Sequence, residues 1–426
     1  MASALLESLL EHGNSSQGPA WLAQARRAAA DALAREGLPA ARNEAWKYTS
    51  LRALEQTRPS RDAEAATRAI DASLFALPIA GPRLVFVNGV YRADLSQTDS
   101  IAGASISTLG AADELDAWRS LLGREYETVD AAFARLNTAL AIDGPLIRIA
   151  PSARIDAPIH LVFVGAGRDI AWNARALIDI GAGAKLRVVE QHVGADAEAQ
   201  LGNVVVQASL GAGARLDLVQ IQDAAADSTL IRRSELSLAD DATLTSHVLE
   251  IGARLARHDL DVDLRGRGAR FVSRGVFALR GRQHADTHLD IRHDARDTAS
   301  DIVWRGVADE RARGVFHGAI TVAPGADGAD ANLSNKNLLL SPNAEIDTQP
   351  VLEIHADEVK AAHGATVGQL DERALFYLRS RGLPPEAARH LLIAAFCAAA
   401  LAEVPDGLRA HLEAMLAKRL PETGDA

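Results

Sequence analysis

One turn pattern recurs through the middle of this chain and limits the folds open to it. It reads Pro151-Ser-Ala153-Arg-Ile155, Gly181-Ala-Gly-Ala184-Lys-Leu186, Gly211-Ala-Gly-Ala214-Arg-Leu216, Ala239-Asp-Asp-Ala242-Thr-Leu244, Gly266-Arg-Gly-Ala269-Arg-Phe271 and Ser341-Pro-Asn-Ala344-Glu-Ile346, with a weaker match centred on Ala312. The central alanines lie 31, 30, 28, 27, 43 and 32 residues apart. A unit of this length cannot bury its own apolar face and must stack on its neighbour. Small corner residues let the chain turn sharply and let the next coil approach. The apolar residue after each corner then points inward. The expected fold is mainly β: a central right-handed parallel β-helix (a β-solenoid) flanked by N-terminal and C-terminal helical regions. A β-sandwich with Gly-rich turns is the competing reading, disfavoured because the turns share one motif.

The flanks read differently. Trp21 to Ala40 is Ala-rich with charges at helical spacing, and Gly37 and Pro39 stop it. Leu84 to Tyr91 reads strand–turn–strand, with Asn88-Gly89 as a hairpin signal. Glu114 to Leu140 returns to helical periodicity. Near the C-terminus Asp371 is placed to cap a helix that Gly382 ends, Pro384-Pro385 opens a second, and Pro405-Asp406 a third. These helices are expected to cap the solenoid's open edge. Three regions follow: residues 1–143, helical with a hairpin; 144–355, the β-helix core; and 356–426, a C-terminal helical domain.

Composition narrows the function. Aromatics are only 4% of the 426 residues, so the core is built from Ala, Val, Leu and Ile. A net charge of −11 argues against nucleic acid or an anionic membrane surface as the main partner. The N-terminal MASALLESLLEHG lacks the features of a secretory signal, and no apolar run reaches 18 residues, so no span is expected. A cytoplasmic protein is expected. The single cysteine, Cys397, allows no disulfide within the chain. It lies in an Ala-rich helix and is expected to pack there. A metal centre that needs several thiolates must therefore borrow ligands from another subunit.

Motifs for common chemistries are missing: no G-x-S-x-G, no P-loop and no G-x-G-x-x-G after a strand. Any ATP used must be bound by another subunit. His284, His288 and His293 could supply a zinc site. On a strand, however, His293 would face opposite to the other two, and an outward polar face is the simpler reading. Asp259, Asp261 and Asp263 could bind calcium or serve a β-helix enzyme acting on polysaccharide. They also alternate with Leu260, Val262 and Leu264, as a half-buried strand requires. His247, His258, His317 and His355 are isolated. His363 stands apart, flanked by Ala361, Ala362 and Gly364 after the strand-like LEIHADEVK. It could ligate iron or accept a proton, or simply hydrogen-bond the end of the solenoid.

Several segments resemble one family. They are Glu44-Ala-Trp-Lys-Tyr-Thr49, Val87-Asn-Gly-Val-Tyr91, Ser334-Asn-Lys-Asn-Leu-Leu-Leu-Ser341, Pro350-Val-Leu-Glu-Ile354, Asp357-Glu-Val-Lys360, His363-Gly-Ala-Thr-Val-Gly368 and Leu375-Phe-Tyr-Leu-Arg-Ser-Arg-Gly382. Together they resemble the SufB/SufD family of iron–sulfur cluster assembly proteins, and its SufD branch in particular. The resemblance implies a non-catalytic scaffold subunit of the SUF complex that pairs with SufB through the β-helices. It implies that the C-terminal helices bind the SufC ATPase, with Phe376, Tyr377, Leu378 and Arg381 in the docking region. It implies a nascent Fe–S cluster shared with SufB, no cofactor on the isolated chain, and His363 at the cluster-building interface as an iron ligand. Some relatives carry a cysteine where this chain has Ala361, which leaves imidazole as the ligand it can offer. Whether a flavin joins the complex is open. Exposed β-helix edges also predict a homodimer when SufB is absent.

Overall fold

The computed structural model describes residues 3–11, 18–60, 64–196 and 198–420. Each repeat forms one coil of a β-solenoid. Successive strands alternate between two sheets, of ten and nine strands. From Ile170–Ile180 onward each strand pairs in parallel with the strand two before it. The two inner faces meet in one continuous apolar core from Leu84 to Ile346.

The corners stack as well. Ser152 N–H donates to the Ala182 carbonyl, and the series continues Gly183 to Ala212, Gly213 to Asp240, Asp241 to Arg267, Gly268 to Arg296 and Asp297 to Asp327. Each corner holds one residue at positive φ: Ser152, Gly183, Gly213, Asp241, Gly268, Asp297 and Gly328. Glycine adopts that conformation without strain and aspartate tolerates it. The repeat read from sequence merges two corner rows. Ala184, Ala214, Ala242 and Ala269 precede strands of the ten-stranded sheet, whereas Ala312 and Ala344 precede strands of the nine-stranded one. The first row continues through Asp297 and Gly328, which accounts for the 43-residue gap.

Both outer faces carry helices. Ala4–Leu10, Ala20–Glu36 and Ala132–Leu140 contribute to a layer over Ala171, Leu201 and Ile231 of the nine-stranded sheet. Pro385–Leu401 and Asp406–Ala417 cover Val189, Val219, Ile221, Leu249, Ile251, Val276, Ala278 and Val307 on the outside of the ten-stranded sheet. These C-terminal helices therefore do not cap the solenoid's end, as the sequence led us to expect. The apolar outer residues of the strands draw them onto the sheet face instead. Asp371 accepts from Arg373 N–H at the start of Glu372–Ser380, and Gly382 has φ 93° just past its end, both as predicted.

The solenoid also reaches beyond the 144–355 span. Arg83–Val87 pairs in parallel with Ile159–Gly165 and forms the predicted hairpin with Val90–Tyr91, Asn88 and Gly89 taking φ 49° and 76°. At the other end Lys360–Gly368 adds a further strand. Among the described residues no helix is long and apolar enough to cross a membrane.

Candidate functional site

Among the described residues, nothing pairs with the outer edges of the last strands of the stack. Glu345–Ile354 and Lys360–Gly368 are the terminal strands of their sheets, paired only with Arg313–Val322 and Asp330–Leu339. Their outer edges present backbone donors and acceptors to any incoming strand. His363 lies in the last strand, in register with Leu333. Traced back through the sheet, that position is Ile302, Ser273, Ser246, Leu218, Val188 and Ile159. All seven are buried. His363 thus continues an inward-facing column, yet it is exposed because no coil follows. Its neighbours Ala361, Ala362, Gly364 and Ala365 are small, and a Cβ on Gly364 would meet nothing within 4 Å. The imidazole is sterically open, and its nitrogens can ligate a metal or accept a proton.

Beside this end, Glu372–Ser380 turns Leu375 inward and presents Phe376 and Tyr377, 72% and 57% exposed. Leu378 is half-buried and Arg381 is exposed, its guanidinium 5.2 Å from the Tyr377 ring centre. The chain's one thiol is elsewhere. Cys397 is fully buried among Ile393, Ala400 and Leu401, and burial pushes it up to about 12.

The segment with three histidines forms no cluster. His293 faces inward and hydrogen-bonds Thr298 and Ser300 at 2.8 and 2.9 Å. His284 and His288 face outward, beneath the N-terminal motif. Thr49 Oγ1 lies 2.9 Å from His284 Nε2 and donates to Asp286 Oδ2 at 2.5 Å. Arg257 donates to Asp286 Oδ2 at 2.5 Å and to the Ala45 carbonyl at 2.8 Å, with its guanidinium 4.0 Å from the Trp46 ring centre. Burial would raise the Asp286 carboxyl, but Arg257, His288 and Thr49 hold it well below the usual range. The Glu44–Thr49 motif is thus a clamp seating the N-terminal region on the solenoid. Sequence reading missed the clamp's partners, because Thr49 and Asp286 are 237 residues apart.

Asp259, Asp261 and Asp263 face outward from Leu255–Leu264, while Leu260, Val262 and Leu264 enter the core. Arg233, Arg257 and Arg265 pair with them. Among the described residues no group of three or more His, Cys, Asp or Glu side chains is placed to hold a metal ion. Among the described residues His355 and His363 are the exposed histidines, both at the uncovered end, and His363 alone lies within a terminal strand.

Comparison with known proteins bears on the same regions. Residues 163–396 match the family model described as SUF system FeS cluster assembly, SufBD core domain, and residues 11–161 match the SufBD protein N-terminal region. The chain is 31% identical to an iron–sulfur cluster assembly SufBD family protein of Synechocystis sp., over 90% of this chain and 88% of the relative. It is 30% identical to the iron–sulfur cluster assembly protein SufD of Escherichia coli, over 91% of each. With SufD of Bacillus subtilis the identity is 25%, over 67% of this chain and 66% of the relative. The chain belongs to the SufBD family of iron–sulfur cluster assembly proteins of the SUF system.

Proposed function

We propose that this chain is a non-catalytic scaffold subunit of the SUF complex. Its solenoid end pairs with SufB, and its C-terminal helices dock the SufC ATPase. The observation that carries this reading is the uncovered last coil with His363 exposed on it. Two strand edges at one end accept strands from a second solenoid by β-augmentation. Such pairing brings His363 to the boundary between subunits, where it offers one imidazole to a nascent cluster. The partner supplies the other ligands, since Cys397 is buried and stays a thiol at neutral pH. Phe376 and Tyr377 supply the aromatic anchors that protein interfaces favour, and Leu378 and Arg381 flank them.

The test is co-purification. The tagged chain is mixed with SufB and SufC at micromolar concentration, and both are expected to be retained. Loss of SufB alone removes the pairing role, and loss of SufC alone removes the docking role. Purified without companions, the chain is expected to hold no stoichiometric iron and sulfide.

A further inference from the structure

Within the apolar solenoid lies one large polar group. Glu190, His192, Gln220, Gln222, Arg232, Ser246, Glu250 and His258 are each at least 97% buried. Six of them join a hydrogen-bonded file across the interior, while Gln222 accepts only from Gly252 N–H and Ser246 Oγ has no partner among the described residues. His192 Nε2 lies 2.6 Å from Glu190 Oε1, and Gln220 donates to Glu190 Oε2 at 3.0 Å and to Ser234 Oγ at 3.3 Å. Ser234 Oγ lies 3.1 Å from His258 Nε2. Glu250 accepts from Arg232 at 2.6 Å and from Thr287 at 2.7 Å.

The file is not closed by protein atoms. Among the described residues, His192 Nδ1, Gln220 Oε1, Gln222 Nε2 and Arg232 Nε and Nη1 are buried without a hydrogen-bond partner, as is Trp172 Nε1. Trp172 and His192 line the same corner cavity, about 10 Å³ in volume, with Phe163, Gly194, Gly202 and Ser228. That is room for about one water.

Gln200 and Thr229 line the cavity too, and the chemistry of the two unpaired atoms selects the occupant. Burial would raise Glu190, but the His192 hydrogen bond and nearby positive charge bring it down to about 2, so it only accepts. Burial lowers His192 and keeps its imidazole neutral. The His192 hydrogen therefore sits on Nε2, facing Glu190, and Nδ1 is a bare acceptor. Trp172 Nε1–H is a donor only. The occupant must accept from one and donate to the other. A halide cannot donate, and a metal cation cannot accept. Glu190 and Glu250 also face a single guanidinium, Arg232, which disfavours any anion.

We propose that the solenoid core is wet at this point: an ordered water bridges Trp172 Nε1 and His192 Nδ1 and joins the polar file to the corner of the coil. The site takes one small neutral molecule with both a donor and an acceptor.

A crystal structure at a resolution that orders internal water tests this. Density within hydrogen-bonding distance of both atoms is expected in the wild-type protein and is expected to vanish in Trp172→Phe. A bromide soak is expected to leave no anomalous peak there. An empty wild-type cavity, or bromide inside it, overturns the proposal. If Trp172→Phe fails to fold, the wild-type protein still decides. Its indole N–H should show magnetisation exchange with a long-lived bound water, and none would overturn the proposal equally.

Discussion

Position 363 inherits a column that earlier coils fill with Ile159, Val188, Leu218, Ser246, Ser273, Ile302 and Leu333. An exposed imidazole there packs against no further coil. His363→Ala should therefore shift stability by less than about 0.5 kcal/mol and leave complex assembly intact. Cluster formation should fall in cells without another assembly pathway; normal growth of such cells would end the ligand role. Gly275 is the opposite case. A Cβ there would lie 2.2 Å from the buried Trp304 ring. Gly275→Ala should lower stability by about 1–3 kcal/mol, read from denaturant midpoints. Buried histidines set the acid response. Burial pushes His160 and His293 down to about 4, while an unfolded imidazole titrates near about 6.5. Between those values the unfolded chain binds more protons, so stability falls as pH falls through that window. A melting temperature unchanged from pH 7 to 4.5 would refute this. At this scale the sequence was half legible. Alternation put His293 on the face opposite to His284 and His288 without saying which face is inward, and nothing local pairs Thr49 with Asp286 or marks His192 as part of a buried file.

At the scale of elements, helix ends and corners were legible where local chemistry dictates backbone geometry. Asn88-Gly89, Asp371 and Gly382 each took the expected role. The corner row was lost at Asp297, where Thr298 stands in place of the central alanine, and at Gly328, where Ala331 stands in place of a larger apolar residue. A search built on small residues steps over those corners and picks up Ala312 and Ala344 in the other row. Helix placement was less legible still, because an apolar stripe does not name the surface that will cover it. The strands settle that: Val219 and Ile221 point outward while Gln220 and Gln222 point inward, so the outer face needs a helical layer. Glu372–Ser380 is secured more lightly, chiefly by its cap and Leu375. Asp371→Ala should weaken that helix by about 1 kcal/mol. Hydrogen exchange should quicken there and stay unchanged in the solenoid strands; equal acceleration in both would show that the cap supports the whole fold.

For the whole molecule, the decisive asymmetry lies between covered faces and an uncovered end. Helical layers cover part of the outer face of each sheet, whereas the outer edges of the terminal strands are left open to pairing. Ile354 and Val367, 43% and 42% exposed, add apolar surface to that end. The same strands that would receive SufB can receive a second copy of this chain, since edge pairing uses backbone groups that every strand carries. Without SufB the protein should therefore dimerise with rising concentration, as read by sedimentation. Charge on an exposed edge opposes such pairing. Ile354→Lys combined with Val367→Lys should shift the equilibrium to monomer without lowering the melting temperature. Wild-type dimer should in turn dissociate as SufB is added, because both partners compete for one end. A dimer that survives both the lysines and excess SufB would place self-association on another surface and separate it from the SufB-binding end.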